Sequence, residues 1–267
     1  MTIALFNSAI AVNKRLLLGI LPVDALTRDD LPFAVNIDVE QPSDTQLLRH
    51  PSGRFSLAYR ADLSSAIQIR IFDAYRRYVP RRLSISVLTL QQILGIESAQ
   101  PEDYLQSRQR RPVMYPGAGY PINGRTTGLR GKVMFNDSPL RWSIIELRSP
   151  LDSNTVLARA RGDDRGEFLI LIPPNAVPDE SLNQRVSFEL MVYARVTPIA
   201  QPAANNLDPY WDLPIEVVTD PQASDPVSSG EVIPTDYVAS QSSVSISFQL
   251  SQMLSSHDVS DIVFNPP

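Results

Sequence analysis

Apolar and polar residues alternate with a period of two in three short stretches of the chain, at 67–71, 83–87 and 244–250. Successive side chains of a β-strand point to opposite faces, so this alternation predicts half-buried strands of antiparallel sheets. A fourth stretch, Phe-Leu-Ile-Leu-Ile at 168–172, is apolar at every position. Such a run is expected of a central strand that is covered on both sides or lies at an interface. The pattern therefore predicts an all-β fold.

Helices are predicted to be few and short. The 267 residues include 23 prolines, and proline interrupts helices and is confined to the edges and loops of sheets. One short helix is predicted at 89–94. A second is predicted at 101–108, where Pro101 is followed by Glu102 and Asp103, residue types that favour a helix start.

The second half of the chain repeats the pattern of the first half in the same order. Each half has a proline-containing turn and an alternating run, then a glycine turn that leads through one charged residue to phenylalanine, then two further strands. A tight turn before a strand often requires positive φ, so Gly53 and Gly166 are assigned structural roles. We interpret the halves as tandem copies of one fold. The matched segments are 31–39 with 139–147, 51–57 with 164–170, 67–72 with 186–191, and 83–87 with 244–248.

This repeat predicts two antiparallel sandwich domains joined by a long proline-rich linker, with an insertion in the second domain. Long segments without regular structure are uncommon in compact domains and are usually functional or disordered. The N-terminal arm (1–13), the stretch 108–128 and the insertion are therefore predicted to reach toward other proteins. The predicted boundaries are 1–95 for the first domain, 96–124 for the linker with its short helix, 125–267 for the second domain, and 197–241 for the insertion.

The sequence lacks several residue types that catalytic and metal sites commonly use. Cysteine is absent, which excludes disulfides, thiolate metal sites and cysteine nucleophiles, and the two histidines, His50 and His257, are far apart in the sequence. The adjacent Asp163 and Asp164 are interpreted as a solvated turn between arginines rather than as a calcium site. We expect no catalytic residue, no cofactor and no metal site, and hence no enzyme.

Charge and hydropathy narrow the choice of partners. The net charge is −5, whereas a protein whose main partner is duplex DNA usually carries a basic excess, so no nucleic-acid partner is expected. No apolar run approaches the roughly 20 residues that a membrane span needs, and the first residues do not have the pattern of a signal peptide. The sequence therefore predicts no membrane span and a cytoplasmic location.

The second half resembles the carboxypeptidase regulatory-like, or transthyretin-like, β-sandwich domain. The resemblance depends on the run 129–133, the Pro139-Leu140 turn, the strand at 144–147, and the segment 160–168 with its sequence Asp-Asp-Arg-Gly-Glu-Phe. It implies a transthyretin-like or immunoglobulin-like sandwich and no particular activity. A purine-pathway hydrolase of this fold has a histidine–arginine site and a Tyr-Arg-Gly-Ser C-terminus, and neither has a counterpart in this sequence.

The first half resembles carboxypeptidase regulatory-like proteins that accompany phage-tail-like contractile injection systems. Three segments carry this resemblance, at 18–27, 50–55 and 78–82. It implies a non-enzymatic structural subunit that forms a homo-oligomeric ring at the cap or terminator end of such a particle, in contact with a tube or sheath-end protein. The implied location is the cytoplasm, as part of the assembled particle.

Two groups of side chains are predicted to contact partner proteins. The segment 75–82 holds four arginines and two tyrosines, residue types enriched at interface anchors; the alternatives are a solvated hairpin end and, with less support, a nucleic-acid contact. Aromatic residues of the linker and the insertion are predicted to dock on a neighbouring subunit or else to cover the edge of a sandwich. The candidates are Tyr75, Arg76, Arg77, Tyr78, Arg81, Arg82, Tyr115, Tyr120, Tyr210 and Trp211.

A different class of function is also compatible with these residues. In a monomeric carbohydrate-binding or protein-binding adhesion module, Tyr115, Tyr120, Tyr210 and Trp211 would stack on the ligand. This alternative predicts a monomer with a ligand groove, whereas the assembly hypothesis predicts a subunit that associates with others.

Overall fold

Strands are the main regular structure of the computed structural model. Strands account for 46% and helices for 4%, which confirms the all-β class. Within the described part of the chain, no helix is long and apolar enough to cross a membrane. The predicted arm 1–13, His257, and all but the last residue of the predicted helix 101–108 lie outside the described residues. The structure describes residues 16–43, 45, 47–60, 65–99, 108–122, 124, 126–173, 185–195, 208–219, 225–255 and 258–267.

The described residues form twenty strands and one helix. The first half of the chain contains β1 (Leu16–Ile20), β2 (Val23–Asp24), β3 (Asn36–Gln41), β4 (Leu48–Arg49), β5 (Phe55–Ala58), β6 (Ala66–Phe72), β7 (Arg81–Ser86), α1 (Leu90–Ala99), β8 (Gln109–Arg110) and β9 (Val113–Met114). The second half contains β10 (Gly128–Phe135), β11 (Ser138–Pro139), β12 (Ile144–Arg148), β13 (Val156–Arg161), β14 (Glu167–Leu171), β15 (Arg185–Arg195), β16 (Ile215–Val218), β17 (Tyr237–Ala239), β18 (Val244–Gln249), β19 (Met253–Leu254) and β20 (Ile262–Val263).

The helix α1 starts within the segment for which the sequence predicts a helix. Its N-terminus is a capping box, because the amide of Gln92 donates to Oγ1 of Thr89 at 3.3 Å and the amide of Thr89 donates to Oε1 of Gln92 at 2.8 Å. The helix then continues to Ala99, beyond the predicted end at Leu94, and buries Ile93 in the first core.

Two sheets enclose one core in the first half of the chain. One sheet has the order β4-β5-β1-β8, and the other contains β7, β6 and β3. Apolar side chains from both sheets, among them Leu18, Phe55, Ile69 and Leu83, form one buried cluster. The three isoleucines of β6 are completely buried, as the alternation at 67–71 predicts.

Two further sheets enclose a second core. β10 pairs with β11, β14, β19 and β20 in one sheet, and β12 and β15 pair with each other and with β13, β17 and β18 in the other. Val133, Phe168, Leu190 and Phe248 belong to one buried cluster with side chains of both sheets. β14 is buried at three successive positions, 168–170, which explains why its sequence is apolar without alternation.

The two halves share a pairing pattern. β1 pairs antiparallel with β5 and parallel with β8, and β10 pairs antiparallel with β14 and parallel with β19. In the facing sheets, the antiparallel series β3-β6-β7 corresponds to the antiparallel series β12-β15-β18. Gly53 and Gly166, which precede β5 and β14, have φ values of 79° and 73°, so both use the conformation that favours glycine.

The described part of the insertion contributes a strand to the first half. β16 pairs in parallel with β7, with Ile215 in register with Arg82 and Val217 in register with Ser84. The first half therefore has a four-stranded sheet of order β16-β7-β6-β3. The prediction that 197–241 is a reaching arm is therefore wrong for β16, because one side of this edge strand is hydrogen-bonded to β7 of its own chain.

The described linker residues are also part of the fold. β8 pairs in parallel with β1, and β9 pairs in parallel with β2. Farther along, the amide of Gly117 donates to the carbonyl oxygen of Arg77 at 2.8 Å. A Cβ atom at Gly117 would lie 2.6 Å from the carbonyl oxygen of Arg76, so a larger residue cannot approach this closely. The prediction of a reaching arm is therefore wrong for 108–122.

We expect a designed disulfide to trap the pairing of β16 with β7. The chain has no cysteine, so Ser84→Cys combined with Val217→Cys provides a single possible pair, at registered positions of adjacent strands. The strand spacing of about 5 Å suits disulfide geometry. Non-reducing electrophoresis and mass spectrometry after oxidation should show a cross-linked monomer.

The matched control for this cross-link is Gln68→Cys combined with Val217→Cys. Gln68 is in register with Ser84 from the other side of β7, so the two thiols are separated by two strand spacings and should stay reduced. Equal cross-linking in both double variants, or disulfide-linked dimers in the first, would contradict the assigned position of β16.

Candidate functional site

A buried ion triad joins the two halves of the molecule. Glu216 of β16 lies between Arg81 of β7 and Arg161 of β13, and these three residues are called the Glu216 triad below. Nε and Nη2 of Arg81 donate to the two carboxylate oxygens at 3.0 and 2.7 Å, and Nη1 and Nη2 of Arg161 donate to them at 2.7 and 2.8 Å. Arg81 is 0% exposed, and three main-chain carbonyl oxygens accept its other hydrogen bonds at 2.6 to 2.8 Å.

The electrostatics of the triad keep its carboxylate ionised. Burial alone would penalise the charged form of Glu216, but the guanidinium groups of Arg161 and Arg81 outweigh it and lower the pKa of Glu216 to about 2. The carboxylate in turn raises the pKa of Arg161 against the effect of burial. Removing the carboxylate would leave the guanidinium groups of Arg81 and Arg161 without their anionic partner in a buried position. The triad therefore fixes β16 in position between the two halves.

A second ion pair crosses the same junction. Arg76 has a φ of 56°, which is uncommon for a residue other than glycine, and it donates to both carboxylate oxygens of Asp164 at 2.5 and 3.1 Å. The adjacent Asp163 is buried and accepts the amides of Arg165 and Glu167 at 2.8 and 3.0 Å. The interpretation of this pair as a solvated turn is therefore wrong, because protein donors occupy both carboxylates.

A buried carboxylate connects three segments of the first half. Oδ2 of Asp24 accepts hydrogen bonds from the hydroxyl groups of Tyr78 at 2.7 Å and Tyr120 at 2.9 Å, and Oδ1 accepts the amide of Leu26 at 2.7 Å. Burial and the hydrogen bond to the carboxylate raise the pKa of Tyr120 to about 12 and also raise the pKa of Tyr78. Both hydroxyl groups therefore stay protonated and serve as donors within the chain.

The aromatic residues of the insertion also lie at the junction. The ring of Tyr210 packs against Phe72 of the first half and Trp142 of the second half, with centroid distances of 6.3 and 6.1 Å. The guanidinium group of Arg141 lies 5.3 Å from the ring of Trp142 and 5.9 Å from that of Trp211. Of the two predicted roles for Tyr210 and Trp211, the structure favours covering a sandwich edge.

Most of the residues predicted to contact partners lie in internal contacts instead. Tyr78, Arg81 and Tyr115 are buried, so the prediction that they contact a partner is wrong, because their side chains belong to the interior of this chain. Arg77 and Arg82 form ion pairs with carboxylates of the first half. The composition of 75–82 therefore reflects internal contacts, and those of Arg76 and Arg81 cross the junction between the halves.

Tyr75 is the predicted contact residue that lies most fully on the surface. Its side chain is 76% exposed. Its amide donates to Oδ1 of Asp73 at 3.0 Å, and the guanidinium group of Arg77 lies 4.9 Å from the centre of its ring. An exposed aromatic ring on a fixed turn is suited to anchoring an interface, so the partner contact of Tyr75 stays a prediction.

The sequence analysis missed the acidic residues that complete these contacts. Glu216 lies 135 positions from Arg81, and Asp164 lies 88 positions from Arg76. One signal was present in the sequence: Glu216 shares a strand face with Val218, and both are buried. A single carboxylate on the apolar face of a strand indicates a buried cationic partner, although it does not identify which one.

The charged and polar side chains at the junction hold segments of the chain in fixed positions. Its carboxylates already accept hydrogen bonds from arginine, tyrosine and backbone donors. Over the described ranges, no group of three or more histidine, cysteine, aspartate and glutamate side chains is placed to hold a metal ion. Comparison with known proteins gives no match to this chain among family models, curated proteins or solved structures.

Proposed function

We propose that the protein is a non-enzymatic structural subunit of a multiprotein assembly, built from two tandem transthyretin-like sandwiches that behave as one rigid unit. The observation that carries this proposal is the Glu216 triad together with the strand it fixes, since β16 belongs to the second half by sequence and to the first half by pairing. Domains within a chain usually move relative to one another unless their interface is large and well packed. A subunit that holds other proteins at a fixed spacing requires domains that do not move relative to one another.

The repeated pairing pattern supports the same proposal. Two copies of one unit, each with its own core, are joined by internal contacts that use the arginines and aromatic residues otherwise available for binding a ligand. The edge strand β16 leaves Ile215 and Val217 exposed, and an exposed apolar edge strand is a surface on which another chain can pair. These features are those of a subunit that is completed by its neighbours.

The most specific form of the proposal is a subunit at the cap or terminator end of a contractile injection particle. Such a subunit would form a homo-oligomeric ring against a tube or sheath-end protein, in the cytoplasm. The support for this form is the resemblance of the segments 18–27, 50–55 and 78–82. The adhesion alternative has less support, because the hydroxyl groups of Tyr115 and Tyr120 and the ring of Tyr210 are engaged within the chain.

Self-association is the result we expect in solution. Size-exclusion chromatography with light scattering should give a mass above the 29.7 kDa of one chain, and this mass should rise with concentration. Val217→Lys, which places a charge on the edge strand, should reduce the mass, whereas Leu151→Lys, at an exposed site between strands, should leave it unchanged. A monomer at every concentration would overturn the proposal, and glycan binding by that monomer would favour an adhesion module instead.

A further inference from the structure

A groove of about 550 Å³ lies where the Tyr75 turn, the linker and β10 meet. Tyr75 and Arg76 line it from the first half, and Arg130, Lys132, Arg165 and Glu167 line it from the second half. The groove therefore exists only when the two halves are docked. Its size is in the range of pockets that bind a small ligand or a few residues of a peptide.

Two of the arginines that line the groove, Arg76 and Arg165, are neutralised by the protein itself. Arg76 is paired with Asp164, and Arg165 forms ion pairs with Asp163 and with Glu167 at 3.2 and 2.8 Å. These contacts leave no excess positive charge at those two positions.

Arg130 and Lys132, the two cationic residues of β10 that line the groove, do not form ion pairs with carboxylates of the described residues. The guanidinium group of Arg130 donates to main-chain carbonyl oxygens of Ala118 and Tyr120, which carry no net charge. The side chain of Lys132 has neither a hydrogen bond nor an ion pair with any residue that the structure describes. The carboxylate opposite Lys132 on the neighbouring strand, that of Glu167, is already paired with Arg165. The groove therefore has four cationic side chains against three carboxylates, an excess of one positive charge, on a protein whose net charge is −5.

The spacing of these charges selects the shape of the ligand. Arg130 and Lys132 are two positions apart on one strand, so their side chains leave the same face about 7 Å apart. Carboxylates at alternate positions of an extended chain have the same spacing. The exposed ring of Tyr75 at the rim can pack against an apolar or aromatic side chain of such a segment.

We infer that this groove binds an extended acidic segment of a partner protein, with carboxylates at alternate positions placed on Arg130 and Lys132. This inference rests on the proposed function, because it names the chemistry of one neighbour of the structural subunit. A nucleic-acid strand fits less well, because it carries a phosphate at every nucleotide and needs a longer basic surface than these two cations provide on a chain with a net charge of −5.

Fluorescence anisotropy with the full chain tests this inference. The probe is a fluorescein-labelled ten-residue peptide in which glutamate alternates with serine and one serine is replaced by phenylalanine, and the comparison probe has lysine in place of every glutamate. We expect binding of the first probe, weakened by salt, and no binding of the second. Lys132→Glu should weaken the binding about tenfold or more, and Tyr75→Ala should weaken it without any change on β10.

The matched control is Arg185→Glu, which makes the same change of charge type at an exposed site outside the groove. It should alter the dissociation constant less than about twofold. Equal weakening by Lys132→Glu and Arg185→Glu, tighter binding of a single-stranded oligonucleotide than of the peptide, or no binding of the acidic probe would each overturn the inference. Thermal melting of each variant reports whether it is folded, and Tyr75→Ala keeps the test decisive if Lys132→Glu does not fold.

The outcome is independent of the test of the proposed function. A protein that stays monomeric yet binds the acidic peptide through Lys132 would contradict the assembly proposal and support the groove assignment. A protein that associates but does not bind the peptide would support the assembly proposal and contradict the groove assignment.

Discussion

The free energy of unfolding is expected to fall by about 3–5 kcal/mol when Glu216 is replaced by glutamine. The amide removes the negative charge and turns an N–H₂ group toward Arg81 and Arg161, whose donors lie 2.7 to 3.0 Å from the carboxylate oxygens. Arg81 is completely buried, so water cannot replace the lost partner. Urea denaturation followed by tryptophan fluorescence measures the change, since Trp142 and Trp211 lie beside the junction.

Glu167→Gln is the matched control for this variant. Glu167 also forms an ion pair with an arginine, at 2.8 Å, but the side chains of Glu167 and Arg165 are 38% and 46% exposed. Exposed ion pairs contribute little, so we expect a loss of no more than about 1 kcal/mol. Similar losses from the two substitutions would show that the Glu216 triad does not hold the halves together.

The dependence of stability on pH gives a second readout of the same variant. The pKa of Glu216 is lowered from 4.5 to about 2 in the folded protein, so its stabilising contribution is complete above the unfolded-state pKa and is lost as the pH falls toward 2. The glutamine side chain of the Glu216→Gln variant does not bind a proton in this pH range. The stability of the variant should therefore fall less steeply than that of the wild type over this acidic range.

Local structure was largely predictable from the sequence because it depends on neighbouring residues. The alternation at 67–71 predicts β6, and the continuous apolar run at 168–172 predicts a strand that is covered on both sides or lies at an interface. The threonine and glutamine that cap α1 are three positions apart and contact each other directly. Such features require only the period of a strand or the reach of one helical turn.

The partners of the junction could not be predicted, since they depend on where distant segments meet. The arginines of 75–82 were recognised as unusual, but the carboxylates that pair with Arg76 and Arg81 come from the glycine turn of the second half and from the insertion. A proline-rich insertion also gives no indication that β16, one of its short strands, adds to a sheet in the other half. Composition thus identified which residues interact but assigned them to a partner protein instead of to this chain.

The last prediction concerns the two glycine turns, at Gly53 and Gly166. They have the same backbone conformation but different neighbouring atoms. In the first turn, the amide of Gly53 donates to the carbonyl oxygen of His50 at 3.0 Å; in the second, the amide of Gly166 donates to that of Asp163 at 3.1 Å. Both glycines have positive φ. A Cβ atom at Gly53 would have nothing within 4 Å, whereas at Gly166 it would lie 2.7 Å from the carbonyl oxygen of Val133.

Gly53→Ala should therefore cost only the strain of a left-handed alanine, about 1 kcal/mol. Gly166→Ala adds a clash with backbone that cannot rotate away, and we expect a loss of about 3 kcal/mol or more. Urea denaturation of the two variants measures both values. Equal losses would mean that the second turn is as open as the first. A larger loss at Gly166 would show that one duplicated turn has become part of the packed interior while its counterpart has stayed at the surface.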